Sequence, residues 1–131
     1  FVMKKQDPEV TAFRAALREE VGRCEICGAA PGRHVRNTPA ELAALNCHEI
    51  ANGIHRQKAL DKPFAILVLC AWCNQYAVTN KAEWPQSRQL AVLQKKRPLH
   101  YDLAAFNHLV NPNAPDRITQ EEVDDWGNRE S

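Results

Sequence analysis

The sequence predicts a small α+β domain with an N-terminal helix, a short ββα-like centre and several C-terminal helices. Three observations predict it. Apolar residues recur at helical spacing near both ends of the chain. One compact apolar run, Ile66-Leu67-Val68-Leu69, reads as a buried strand in the middle. Four of the five cysteines form two C-x-x-C pairs, Cys24 with Cys27 and Cys70 with Cys73, around that middle. A chain of 131 residues fits one domain. Within it we separate an N-terminal helix over 1–23, a cysteine-clamped core over 24–80 and a helical extension over 81–131.

Each element has a local signature. Asp7-Pro8-Glu9 is a helix start: an N-cap, a proline at the first helical position and an acid in the first turn. Val10, Phe13, Leu17 and Val21 then mark one apolar face as far as about Gly22. RCEICGAAPG is a knuckle-like turn, and the polar stretch 33–39 is irregular. Glu41 to Leu45 favours helix by composition but runs into Asn46-Cys47-His48, and 45–50 reads as extended. Ala51 to Asp61 is a loop or single helical turn ended by Pro63, and a helix should begin inside the second cysteine pair and run to about Thr79. Pro85 opens a helix through Lys96, and Asp102 caps another carrying Leu103, Phe106, Leu109 and Val110. After the turn at 111–115, Thr119-Gln120-Glu121-Glu122 is a capping box for a last helix with Val123 and Trp126.

Hydrophobic residues make up 44% of the chain, charged residues 25%, and the net charge is +1, so total charge names no partner. Its distribution says more. Lys81, Arg88, Lys95, Lys96 and Arg97 face Glu83 alone, whereas Asp116, Glu121, Glu122, Asp124, Asp125 and Glu130 outweigh Arg117 and Arg129. Taken singly, each run is ordinarily a solvated helix face. No apolar run approaches the roughly 18 residues of a membrane span. The N-terminal residues carry no secretory pattern, which favours the cytoplasm, where paired cysteines more often bind metal than bridge.

Two residues between cysteines let one tight turn aim both sulfurs at one ion. Two such turns make a closed tetrahedral site of four thiolates, the chemistry of structural zinc. The competing reading, a redox disulfide of the thioredoxin kind, wants a βαβ context that neither pair has. Cys47 is left over and reads as a small buried residue. His34 and His55 read as surface or core histidines, and Trp72, Tyr76 and Trp84 beside the knuckle as core aromatics.

A cysteine pair, then Cys47-His48-Glu49-Ile50, then an apolar strand, then Cys70-x-x-Cys73-Asn74 resembles the HNH (His-Me finger) endonucleases, in particular zinc-containing phage-type members. The resemblance covers Cys24 to about Thr79. It implies a ββα-metal core with a four-cysteine zinc clamp over 24–80. It also implies hydrolysis of a DNA phosphodiester with one divalent cation, such as Mg²⁺, Mn²⁺ or Ni²⁺, between His48 and Asn74. Two registers compete in the first motif. Either His48 is the general base and Cys47 occupies the metal position, or His48 is the metal ligand and Glu49 the base. Ile50 fits the aliphatic position of the second register, which we prefer; a thiolate is also a poor ligand for Mg²⁺. The sequence departs from the family in carrying Asn74 where many members have His, and in lacking the Asn expected near Ala65.

The same resemblance makes DNA the expected partner, with phosphate contacts from Arg56, Lys58, Lys95 and Lys96. It adds a second copy of the chain or phage or mobile-element machinery as further partners, and no membrane; a phage-encoded chain would work in the host cytoplasm. The missing Asn motivates an alternative: a zinc-stabilised DNA- or protein-binding module without nuclease activity.

Overall fold

The helix starts read at Asp7, Asp102 and Thr119 form where their signals stand, whereas the helix expected from the second cysteine pair to about Thr79 does not form as a regular α-helix. The computed structural model describes residues 7–30 and 44–129; the irregular stretch 33–39 with His34, the helix-favouring residues 41–43 and Glu130 lie outside them. Helix α1 (Pro8–Val21) is capped by Asp7, whose side chain accepts the Glu9 N–H at 2.9 Å. It ends at Gly22, which takes the left-handed conformation (φ 71°) and donates its N–H to the Arg18 carbonyl.

Strands β1 (Leu45–Glu49) and β2 (Ile66–Cys70) pair antiparallel, with Leu45 opposite Cys70, Cys47 opposite Val68 and Glu49 opposite Ile66. The connection holds two 3₁₀ turns, Gly53–His55 and Pro63–Ala65, around the one-turn helix α2 (Arg56–Ala59). After β2 the chain turns helical at once, but at wider pitch than a regular helix. Cys73–Ala77 is a π-type turn in which the Val78 N–H reaches the Cys73 carbonyl. Then follow α3 (Gln86–Lys96), α4 (Leu103–Val110) and α5 (Gln120–Arg129). Asp102 caps α4 through the Ala105 N–H, and Thr119 and Glu122 cap α5 reciprocally.

The sheet lies between two helical layers, which is why β2 is apolar without alternation: all five residues are buried. One face (Cys47, Ile66, Val68) packs on Leu17 of α1. The other (Leu67, Leu69) joins the main core with Leu90 and Leu93 of α3, Phe106 of α4 and Val123 of α5. Asn107 fastens the 111–118 turn, donating to the Pro115 and Ile118 carbonyls and accepting the Ile118 N–H. Among the described residues no helix is long and apolar enough to cross a membrane.

Arg97, which the sequence groups with the basic residues of 81–100, belongs to the frame of the fold. It sits against the buried Glu25 carboxylate, Nε–Oε2 3.0 Å, and also donates to the carbonyls of Pro63 and Ile66. Glu25 in turn covers the outer edge of β2: its Oε1 accepts the Val68 N–H and its own N–H donates to the Val68 carbonyl. One carboxylate thus ties the cysteine knuckle, β2 and the end of α3 together. Glu25→Ala leaves a guanidinium buried without its anion, and urea unfolding should show a loss of about 3–5 kcal/mol.

Candidate metal centre and adjoining cleft

The two C-x-x-C pairs converge. The sulfurs of Cys24, Cys27, Cys70 and Cys73 all lie within 4.8 Å of one another, and Cys27 Sγ is 3.7 Å from Cys70 Sγ. That distance is far beyond a disulfide bond. It matches the roughly 3.8 Å between sulfurs that a tetrahedral ion with metal–sulfur bonds of about 2.3 Å requires. Both turns are built for it. The Cys27 N–H points at Cys24 Sγ (3.5 Å) and the Cys73 N–H at Cys70 Sγ (3.4 Å). Gly28, at φ 78°, closes the first turn by donating to the Cys24 carbonyl. Three of the four cysteines are buried.

The pKa of the Cys24 thiol is lowered to about 4, chiefly by its hydrogen bond with Cys73. Cys27 is raised to about 11, first by burial and then by the neighbouring Cys24 charge. Cys73 is pushed up as well, first because it holds its proton toward Cys24. A thiolate at Cys24 opposes ionisation at Cys27 and Cys73, an opposition that a bound cation would relieve. The residues fit a zinc ion. Cys47 stands apart on the α1 face of β1, where burial raises its thiol.

The second site lies along the free edge of β1. Val68 turns its N–H and carbonyl toward Glu25, so its partner Cys47 turns its own away from β2, toward that edge. There the Cys47 carbonyl accepts from Arg14 Nη2 at 2.8 Å. A cleft of about 450 Å³ runs beside it, lined by Arg14 and Arg18 of α1, the β1 residues including His48 and Glu49, Arg56 of α2 and Asn74 of the π-type turn. His48 and Glu49 are neighbours in sequence and point to opposite faces of the sheet; because β1 is an edge strand, both still reach the cleft.

Their surroundings differ accordingly. Glu49 is buried on the α1 side, its Oε2 bonded by Arg14 at 3.2 Å and its Oε1 3.5 Å from Arg56 Nη2, with no hydrogen bond to Oε1. His48, on the α3 side, bonds Gln89 Oε1 through Nε2 at 2.8 Å. Burial lowers its proton affinity, against the opposing pull of the Gln89 hydrogen bond and the Glu49 charge, which favours the neutral ring. Asn74 lines the cleft half-buried, and among the described residues its side-chain amide makes no hydrogen bond.

The structure therefore brings His48, Glu49, Asn74 and Arg56 to one cleft. Lys58 is exposed on α2 and does not line it. Lys95 and Lys96 are exposed at the far end of α3, about 9 Å along the axis from Gln89, beside the knuckle residues Glu25 and Ile26. Trp84 is buried under Arg88 and reads as core, whereas Trp72 and Tyr76 are exposed, with ring centroids 5.5 Å apart. His55 is half-buried outside the cleft.

Three site residues are not singled out by the sequence. Arg14 and Arg18 stand one helical turn apart on α1, a spacing that shows they share a face but not what the face meets. Gln89 is a polar residue beside the Leu90-Ala91-Val92-Leu93 run, and its complete burial would have been the signal. Compared with protein-family models, with curated proteins and with solved structures, the chain gives no match.

Proposed function

We propose that the chain is a metal-dependent DNA endonuclease of the HNH type, with a zinc-clamped ββα-metal core over 24–80. The observation that carries this reading is the cleft on the edge of β1. Residues chosen from the sequence for phosphodiester chemistry meet there, under three guanidiniums opposed by one carboxylate.

His48 and Asn74 offer an imidazole nitrogen and an amide oxygen across a polar cleft. That pair would hold a divalent cation, with Mn²⁺ or Ni²⁺ suiting the imidazole better than Ca²⁺. When bound there, the cation would supply charge stabilisation at the scissile phosphate and the leaving oxygen. Glu49 Oε1 is the carboxylate atom left to accept a proton from the attacking water, since Arg14 occupies Oε2. Arg56, with more than half its side chain exposed, covers Oε1 in the free protein. Its planar fork suits a phosphate better than its single 3.5 Å contact to Glu49, so DNA binding draws it away and uncovers the base. Arg14 holds Glu49 and the strand edge, and Arg18 adds a positive charge along the DNA path.

The test is cleavage of supercoiled plasmid by zinc-loaded protein supplied with Mg²⁺, Mn²⁺ or Ni²⁺. Nicked circles should appear with at least one ion and vanish on its omission. DNA binding that falls with salt, without nicking in any ion, would favour a binding module that has lost catalysis. The commitment of Glu49 to two arginines is the feature that favours that second reading.

A further inference from the structure

The deepest polar group near the cleft comes from α3, outside the hairpin and the knuckle. Gln89 is fully buried, and each end of its amide has one partner. Its Nε2 donates to the Trp84 carbonyl at 2.9 Å. A carbonyl only accepts, so the atom there must be the NH₂ group, and the atom facing His48 must be the oxygen. That oxygen, 2.8 Å from His48 Nε2, can only accept in turn. Among the described residues nothing bonds His48 Nδ1.

We infer that Gln89 is a positioning residue. Its amide, oriented by Trp84, holds His48 as the Nε2–H tautomer in a fixed ring orientation and leaves the Nδ1 lone pair as the ring's only free acceptor. This rests, for its catalytic meaning, on His48 being the central group of the proposed nuclease site; the tautomer itself does not. Acceptors on the second nitrogen of an imidazole fix which nitrogen is available for a metal or a proton, and their loss typically lowers metal affinity or activity 10- to 100-fold.

The inference gives the C-terminal extension a place in the site. The first turn of α3 also holds the loop after β1, where Gln86 Nε2 donates to the Ile50 carbonyl at 3.2 Å. Helix α3 thereby sets both the ring and the backbone that carries it.

The experiment is nitrogen-15 NMR of the histidine rings in zinc-loaded protein at neutral pH, on wild type and on Gln89→Met, which keeps the chain length and removes the acceptor. In wild type, His48 should show one Nε2–H tautomer, with a ring proton protected from exchange and close to the Gln89 amide. In Gln89→Met that proton should exchange too fast to be seen, while the backbone spectrum stays folded. Plasmid nicking in the best ion should then fall 10- to 100-fold. A wild-type His48 that carries its proton on Nδ1, or averages between tautomers, overturns the inference even if the protein cuts DNA. A folded Gln89→Met that keeps the protected ring proton, or nicks at the wild-type rate, overturns it too. Because the wild-type spectrum decides the tautomer alone, a variant that does not fold leaves the test intact. A wild type with the expected tautomer and no nicking refutes the nuclease reading and leaves the role of Gln89 in place.

Discussion

Cys70→Ser abolishes the cooperative unfolding transition of the chain at 25 °C and its bound metal with it. Cys70 is the last residue of β2 and is 1% exposed; its sulfur takes the Cys73 N–H and faces Cys27. Losing one thiolate opens the tetrahedral site. Binding free energy at such sites, about 10–16 kcal/mol in zinc-finger peptides, is folding free energy. It equals or exceeds the whole net stability of a small domain, about 5–15 kcal/mol. Cys24, Cys70 and Cys73 are also part of the main core, with Leu69, Val78 and Trp84, so the loss is not confined to the knuckle. Metal analysis should find a single zinc ion per wild-type chain and none in the variant, and near-ultraviolet circular dichroism should collapse. Wild-type protein purified without metal, yet folded and with four reactive thiols, would refute the clamp.

The second large effect is at His48. His48→Ala should lower plasmid nicking by about 10²–10⁴-fold, the range expected when a group that handles a proton or a metal in the transition state is lost. Stability should change far less. His48 is half-buried, and its removal leaves mainly the Gln89 oxygen without a donor, a loss of about 1–3 kcal/mol. Glu49→Gln separates the two registers of the motif. An equally deep loss identifies Glu49 as the base; near-normal nicking moves that role to His48 and makes Glu49 an anchor for Arg14 and Arg56.

What was legible in the sequence was local. The cysteine turns, the Asp7, Asp102 and Thr119 caps and the Ile66–Leu69 strand depend on residues a few positions apart, and each forms where its pattern stands. What was hidden depends on partners far along the chain. Arg97 looks like one more charge in a basic run until Glu25 is brought beside it. Arg14 and Arg18 look like the solvated side of an amphipathic helix until β1 offers its unpaired edge. Gln89 looks like a break in an apolar stripe until His48 meets it across the sheet face. The wide pitch of Cys73–Ala77 has no counterpart in the residue pattern, which suits an ordinary helix equally well. Within the site, the metal half was thus almost wholly readable. The cleft half was readable in its hairpin and Asn74 residues but not in the arginines and glutamine that surround them.

The most direct measurement compares wild type and His48→Ala on supercoiled plasmid under single-turnover conditions, at equal zinc content, with Mg²⁺, Mn²⁺ or Ni²⁺ added. Metal-dependent nicking by wild type, reduced at least a hundredfold in a folded His48→Ala, is the expected result. Absence of nicking with every ion, or nicking that His48→Ala leaves unchanged, contradicts a nuclease centred on the β1 edge.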